Sequence, residues 1–311
     1  MMNCSYIKTL LVLLICNIWI TSAFSQENPD SLLAELEKEI PQEKFVNSMF
    51  KSTRLINFHT VEILGKKALD FRISHRFGDI NSGADNLYGL DGPATIRLGL
   101  EYSHNGRLMG GIGRSSSGKY VDGFLKYRIL RQTITNSMPI SITAVGSVNV
   151  SAAKVNVYSL PGVTDFPNFV DRIAYMSQVI IGRKFNEHLS LQLTPTLIHY
   201  NMVAQIMDRN NVFAVIGAGR YKVSRSISIT GEYALRTNKY SLDFKQYHNN
   251  ASIGIDIETG GHVFQIFVTN SAALNEVQVI SFTNTSWKDG GARLGFNISR
   301  VFGFGKKKKK W

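Results

Sequence analysis

Cysteine is almost absent from this 311-residue chain, which has only Cys4 and Cys16. Both lie ahead of the point where an export signal would be cut. Lys8 precedes the apolar stretch Leu10 to Cys16, and Ala23-Phe24-Ser25 puts small residues at the two positions a signal peptidase reads. Residues 1–25 therefore read as a signal peptide cleaved between Ser25 and Gln26. An acylated Cys16 would need a small residue before it, and Ile15 stands there. The mature chain then has no thiol, which excludes a disulfide scaffold, a Cys nucleophile and a Cys-based metal centre. Long apolar runs are missing too. No segment beyond the signal approaches the roughly 18 apolar residues a membrane-crossing helix needs, so the chain either is soluble or crosses a membrane as strands. Nucleic-acid modules are absent, with neither paired Cys/His ligands nor a basic helical stripe, and no nucleic acid is expected as a partner. Part of the excess of 35 Lys+Arg over 23 Asp+Glu sits in one run, Lys306 to Lys310.

What is present is a folded, β-rich composition, 44% apolar and 19% charged. Residues 29–40 read as a short helix, started by Pro29-Asp30-Ser31, with Leu32, Leu33, Leu36 and Ile40 on one face and Pro41 ending it. After residue 60 the pattern changes to period-2 alternation, and no further helix is expected. In 69–77, Leu69, Phe71, Ile73, His75 and Phe77 share one face and Asp70, Arg72, Ser74 and Arg76 the other. The same alternation gives twelve strands: 69–77, 94–103, 107–114, 119–130, 139–151, 172–184, 188–198, 211–222, 226–236, 250–258, 261–269 and 290–302. Their lengths suit membrane-crossing strands.

Long and short connections alternate along the chain. If the first strand leaves the periplasm, nearly every long loop lies outside and both ends lie inside, as in even-stranded outer-membrane barrels. A fourteen-strand alternative adds Thr53 to Leu64 and Glu276 to Phe282, but puts most long loops in the periplasm. A soluble β-sandwich also alternates, so periodicity alone leaves it open. The missing cysteines, the loop rhythm and aromatics near strand ends favour an all-β antiparallel transmembrane barrel of about twelve strands. The expected organisation is a signal peptide (1–25), a periplasmic N-terminal segment with its short helix (26–67) that plugs or lines the inner mouth, the barrel (68–305) and a polybasic tail (306–311).

Particular segments also resemble a family. Phe50-Lys51-Ser52-Thr53-Arg54-Leu55-Ile56-Asn57, His75-Arg76-Phe77-Gly78, Gly89-Leu90-Asp91, Gly113-Arg114-Ser115-Ser116 and Asp122-Gly123-Phe124-Leu125-Lys126-Tyr127 together resemble an uncharacterised outer-membrane β-barrel family of Bacteroidota. The resemblance implies compartment and barrel architecture. It implies no activity and brings no catalytic residues.

Chemical motifs are few. Gly113 to Lys119 follows the glycine-rich phosphate loop until Tyr120 replaces the Ser/Thr that would hold magnesium, and a strand follows where a helix belongs. His188 and Ser190 lie two apart on one face of a strand, similar to the histidine–serine pair of outer-membrane phospholipases, but no orienting third group can be assigned. The seven histidines are scattered singly, so no metal site and no cofactor is expected. The lumen-facing charges carry more information: Asp70, Arg72, Arg76, Arg97, Glu101, Asp122, Lys126, Arg128, Glu232, Arg236, Asp256, Glu258 and Arg293. Seven are basic and six acidic. Confined charges should pair, with Arg72, Arg76, Arg97 and Glu101 pairing across the first two strands, or they should line a constriction. The expected function is a nonenzymatic outer-membrane barrel acting as a narrow channel for a small polar solute. The alternatives are a closed structural or partner-binding barrel and, third, an outer-membrane lipid hydrolase. Its expected partners are outer-membrane lipids, the barrel-assembly machinery and any envelope component its loops bind.

Overall fold

Segments in which β-branched and aromatic residues alternate with polar ones extend because the pleat sends successive side chains to opposite faces. Twelve such strands form in the computed structural model, which describes residues 44–153, 166–203, 209–237 and 247–304. They are β1 (Ala68–Arg76), β2 (Thr95–Ser103), β3 (Leu108–Ser115), β4 (Tyr120–Leu130), β5 (Ser141–Ser151) and β6 (Ile173–Lys184). The others are β7 (Leu189–Tyr200), β8 (Asn211–Lys222), β9 (Ile227–Arg236), β10 (Asn250–Thr259), β11 (His262–Thr269) and β12 (Arg293–Gly303). Each pairs antiparallel with its sequence neighbours, and β12 returns to β1 to close a barrel. Ile73 stands opposite Leu98 on one side and Ile298 on the other. Closure leaves no strand edge unpaired, which is what permits a sheet to sit in lipid.

The barrel is greasy outside and polar inside. Leu98 and Ile255 are 47% and 46% exposed, whereas Asp70, Arg72, Arg76 and Glu101 are each 1% exposed. A soluble sandwich would show the reverse, so the rival fold is excluded. The fourteen-strand alternative is excluded as well, because neither of its two added segments forms a strand.

The end carrying the start of β1 and the close of β12 has tight turns. The β10–β11 turn uses Gly260 and Gly261 at φ 44° and 99°, the positive-φ pair that matches strand twist in a two-residue hairpin. At the other end lie long connections, including 77–94 and 270–292.

A twelve-strand bore is wider than its own wall side chains fill. Here two segments occupy it. Residues 44–67 reverse direction inside the barrel, with Leu55 N donating to Phe58 O at 2.9 Å and Thr60 N to Thr53 O at 2.9 Å. From the long-loop end comes α1 (Glu276–Ser281), capped by Asn275, whose side chain accepts from Val277 N; all six helical residues are buried. This corrects the expectation of no helix after residue 60. Val277, Val279 and Ile280 are β-branched and suit a strand, but burial on every side of so short a piece outweighs propensity. The helix expected over 29–40, the signal peptide and the 306–311 tail lie outside the described residues.

Two apolar clusters seal these inserts. Phe58 of the inserted segment packs with Val277 and Ile280 of α1 and with wall residues Met176, Ile198 and Ile216. Phe50, Leu55 and Val61 pack with Met109, Phe124 and Ile180 of the wall.

Candidate functional site: the occupied lumen

The interior is built from the inward positions of the strands, where side chains of alternate residues converge on the axis. All thirteen charged residues named from the sequence sit on this inward side. Nine of them, Asp70, Arg72, Arg76, Arg97, Glu101, Asp122, Lys126, Glu232 and Asp256, are buried. Arg128, Arg236, Glu258 and Arg293 are half-buried nearer the two mouths.

Their partners differ from the expected seam between β1 and β2. The register sets Glu101 opposite Asp70, a like charge, and Arg97 opposite the uncharged Ser74, where opposite pairing was expected. Arg97 instead reaches over β3 and ion-pairs with Asp122 on β4. Gly99 and Gly113 make that path possible: a Cβ at Gly113 would overlap the Arg97 guanidinium. Arg72 reaches Asp70 Oδ2 at 3.3 Å and also donates to Ser52. Arg76 meets no acid directly. It donates to Asn297 Oδ1 at 3.1 Å and Asn57 Oδ1 at 2.9 Å, and lies 4.2 Å from the Phe267 ring centroid.

The inserted segment supplies what the wall charges lack. Arg54 is the junction: Nε donates to Glu101 Oε1 at 3.1 Å and Nη1 to Glu276 Oε1 at 2.6 Å, tying wall, inserted segment and α1 together. Thr53 Oγ1 donates to the other Glu101 oxygen at 2.5 Å, and Gln178 Nε2 to Glu276 Oε2 at 3.1 Å. Lower on the segment, Asn57 N and Nδ2 both donate to Glu232 Oε1, at 2.9 and 2.6 Å, while Ile56 N reaches Oε2 at 3.2 Å. Lys126 Nζ donates to Thr53 O at 3.2 Å, and Gln192 both accepts from Val61 N and donates to His59 O. Arg220, on β8, donates to Met49 O at 3.2 Å. Nearer the mouths, Lys51 pairs with Glu258, Arg128 donates to Gly106 O, Arg236 to Ser281 O, and Arg293 lies 3.4 Å from Asp79 Oδ2.

Charge states around Arg54 follow from this geometry. Burial works against its charge, but Glu276 and then Glu101 outweigh that, raising its pKa. Burial pushes the Glu276 carboxyl up, more than Arg54 pulls it down. His59 is held well below its ordinary pKa, first by burial and then by Arg54, Lys126 and Arg97. The arginine can only donate, so the 3.0 Å contact from Arg54 Nη2 makes His59 Nε2 an acceptor and the ring neutral. Between these groups remains a cavity of about 10 Å³, lined by Arg54, His59, Arg97, Asp122 and Glu276 among others. That is room for about one water. The described lumen is closed.

The minor motifs take ordinary places. Gly113 to Lys119 spans the end of β3 and a tight turn into β4. His188 sits exposed before β7 with its Nδ1 2.8 Å from Lys222 O, while Ser190 is buried and its Oγ has no partner. No group of three potential metal ligands occurs among the described residues.

Sequence reasoning missed Arg54, Asn57, His59, Gln178, Gln192 and Glu276 as lumen residues. Arg54, Asn57 and His59 lie in a segment that is neither helix nor strand, where periodicity is silent; Gln178 and Gln192 sit on predicted strands but carry no charge, and Glu276 belongs to the unexpected helix. One signal was present: the string Phe50 to Asn57, which carried the family resemblance, is the piece that enters the lumen.

Residues 50–302 match the family described as a membrane-bound β-barrel domain, DUF5777. No curated protein matches the chain. Among solved structures, the neighbours are outer-membrane porins and channels. The KdgM porin is 10% identical, with 76% of this chain and 99% of that one covered and a TM-score of 0.46. The NanC porin is 11% identical, covering 75% and 98%, with a TM-score of 0.46. The COG4313 outer membrane channel from Pseudomonas putida F1 is 15% identical, covering 78% and 98%, with a TM-score of 0.46.

Proposed function

We propose, from the premise that the chain belongs to the DUF5777 family of membrane-bound β-barrels, that it is an outer-membrane channel for a small polar solute whose lumen is shut by its own N-terminal segment. In this reading the protein belongs to a Bacteroidota envelope and is exported on a signal peptide cut near Gln26, and no catalytic step is involved. One observation carries it. The bore is blocked by a separate stretch of chain, joined to short inward side chains such as Ser252, Thr143 and Gln192 by hydrogen bonds. Withdrawal of residues 44–67 would leave α1 as the one described insert in a bore ringed by charges of both signs, the arrangement that sets selectivity in channels.

A second reading, a permanently closed barrel with a structural or partner-binding role, is favoured by the apolar inward patch of Met176, Ile198, Val212 and Ile216 against Phe58 and α1. Such a surface holds an insert firmly. Planar-bilayer recording of the full mature chain separates the two. Reversible current steps at urea concentrations that leave the β spectrum intact support a channel. Silence throughout that range leaves the closed barrel.

A further inference from the structure

The two rims of the barrel differ in charge, and the difference follows the fold. At the rim that carries the start of β1 and the end of β12, four guanidiniums lie over aromatic rings that are themselves exposed. Arg107 sits 5.9 Å from the Tyr127 centroid, Arg131 4.8 Å from Phe45, Arg183 5.3 Å from Phe185 and Arg300 5.0 Å from Phe302. Arg107, Arg131 and Arg300 are exposed and Arg183 half-buried. None of the four makes a side-chain hydrogen bond or ion pair among the described residues, and Arg183 Nε is buried without a partner.

Lys66 and Lys67 before β1, and Lys222 and Arg225 at the β8–β9 turn, extend the same charge around the circumference. The β10–β11 turn at this rim brings no Lys or Arg, and the β6–β7 turn has Arg183 and Lys184 just before it, at the end of β6. Acids here are few and mostly engaged. Among the described residues, Glu62 accepts from Met49 N and Glu258 pairs with Lys51, which leaves Glu187.

The opposite rim is different in kind. Its stacked arginine Arg172 donates to the chain's own Ala153 and Ser151 carbonyls, and Arg293 faces Asp79. Arg114, Lys119, Arg209 and Lys288 are interspersed with Asp85, Asp91, Asp171 and Asp289.

We infer that the rim bearing the strand termini is a collar that binds the phosphate headgroups of anionic phospholipid in the leaflet it faces. Three features select this partner. Charge without an internal partner calls for an external anion. Aromatic rings at the same level mark the interface depth of a membrane protein, and a guanidinium stacked on such a ring is held at phosphate height with its donors turned outward. The collar also encircles the barrel, and a leaflet surrounds a barrel on every side whereas a docked protein covers one arc. Basic groups near an anionic leaflet each contribute about 1 kcal/mol, about five-fold in partition. The inference rests on the membrane barrel alone and not on the channel reading.

The test is lipid retention. The full mature protein, purified from mixed micelles holding equal phosphatidylglycerol and phosphatidylcholine, should keep the former at least about five-fold over the latter. That preference should fall as salt is raised. The variant Arg107→Gln, Arg131→Gln, Arg183→Gln, Arg300→Gln should lose it with its β spectrum unchanged. Arg114→Gln, Lys119→Gln, Arg209→Gln, Lys288→Gln, which removes as much charge from the other rim, should keep it. Equal retention of both lipids by the wild type overturns the inference without needing any variant. Equal loss in both variants overturns the assignment to this rim. Neither result bears on conductance, so the channel reading stands or falls separately.

Discussion

Replacing Arg54 by Ala should unlock the lumen. The side chain joins two buried carboxylates, Glu101 at 3.1 Å and Glu276 at 2.6 Å, to the inserted segment. Breaking a buried ion pair by removing one partner costs about 3 to 5 kcal/mol, since the remaining charge is left in a poorly solvated place. Two acids are orphaned here, but each keeps one strong hydrogen bond, Glu101 from Thr53 and Glu276 from Gln178, so the total should stay near that range. Thr53 travels with the segment, so withdrawal also strips Glu101 of that bond and returns it to water. Part of the penalty is thus relieved by opening. A bias of about 3 kcal/mol toward the withdrawn state raises its population roughly 150-fold. No cysteine follows Cys16, so in a chain produced without residues 1–25 Ser52→Cys introduces the sole thiol, inside the closed lumen. A membrane-impermeant maleimide should label Ser52→Cys slowly and the Arg54→Ala, Ser52→Cys protein about two orders of magnitude faster. Equal labelling rates in two folded proteins would refute the claim that Arg54 holds the segment.

Other perturbations follow from the same contacts. His59 has a pKa depressed well below its unfolded value, so the unfolded chain takes up its proton first; stability contributed by the neutral ring is present above about pH 6.5 and lost as pH falls. Relative to His59→Gln, the wild type should lose about 1.4 kcal/mol per pH unit below that point in denaturant titrations, and that difference isolates the ring from the other charges that face it, Arg54, Glu276, Lys126 and Arg97. A flat difference would show that the ring protonates in place. Gly113→Ala should displace Arg97 from Asp122 and lower stability by about 1 to 3 kcal/mol, while Gly146→Ala, where no atom lies within 4 Å, should be near neutral by the same titration. Leu98→Arg or Ile255→Arg, on the lipid face, should cost about 2 to 4 kcal/mol in refolding equilibria; near-zero costs would undo the assignment of faces. Ser252→Arg is not the mild lumen change its inward position suggests, because Ser252 Oγ accepts from Asn57 Nδ2 at 2.9 Å, and a large side chain there should evict the segment and raise the labelling of Ser52→Cys.

The wall was legible because a strand's period of two writes its two faces directly into sequence. Leu98 outward and Arg97 inward follow from parity alone, and closure follows from an even number of strands with short turns at one end. Partners inside the lumen were not legible. Arg97 finds Asp122 across an intervening strand because Gly99 and Gly113 have no side chains, a relation that strand adjacency does not contain. Asn57 meets Glu232, 175 positions away, and no local pattern encodes so distant a contact. The helix Glu276–Ser281 was read as a possible strand since its residues prefer one; surroundings, not propensity, decide its form. The inner mouth as the place for the N-terminal segment followed from topology, with the first strand starting on the periplasmic side. How far residues 44–67 run into the bore depends on shape, which strand order does not contain.

The central claim is that a conducting bore exists and that residues 44–67 are what shuts it. Its most direct test is planar-bilayer conductance of a mature chain lacking residues 44–64, compared with the intact mature chain and with folding of both verified by their β spectra. The account predicts steady ionic current through the shortened protein and a shut state in the intact one. A shortened barrel that folds and remains silent would contradict it.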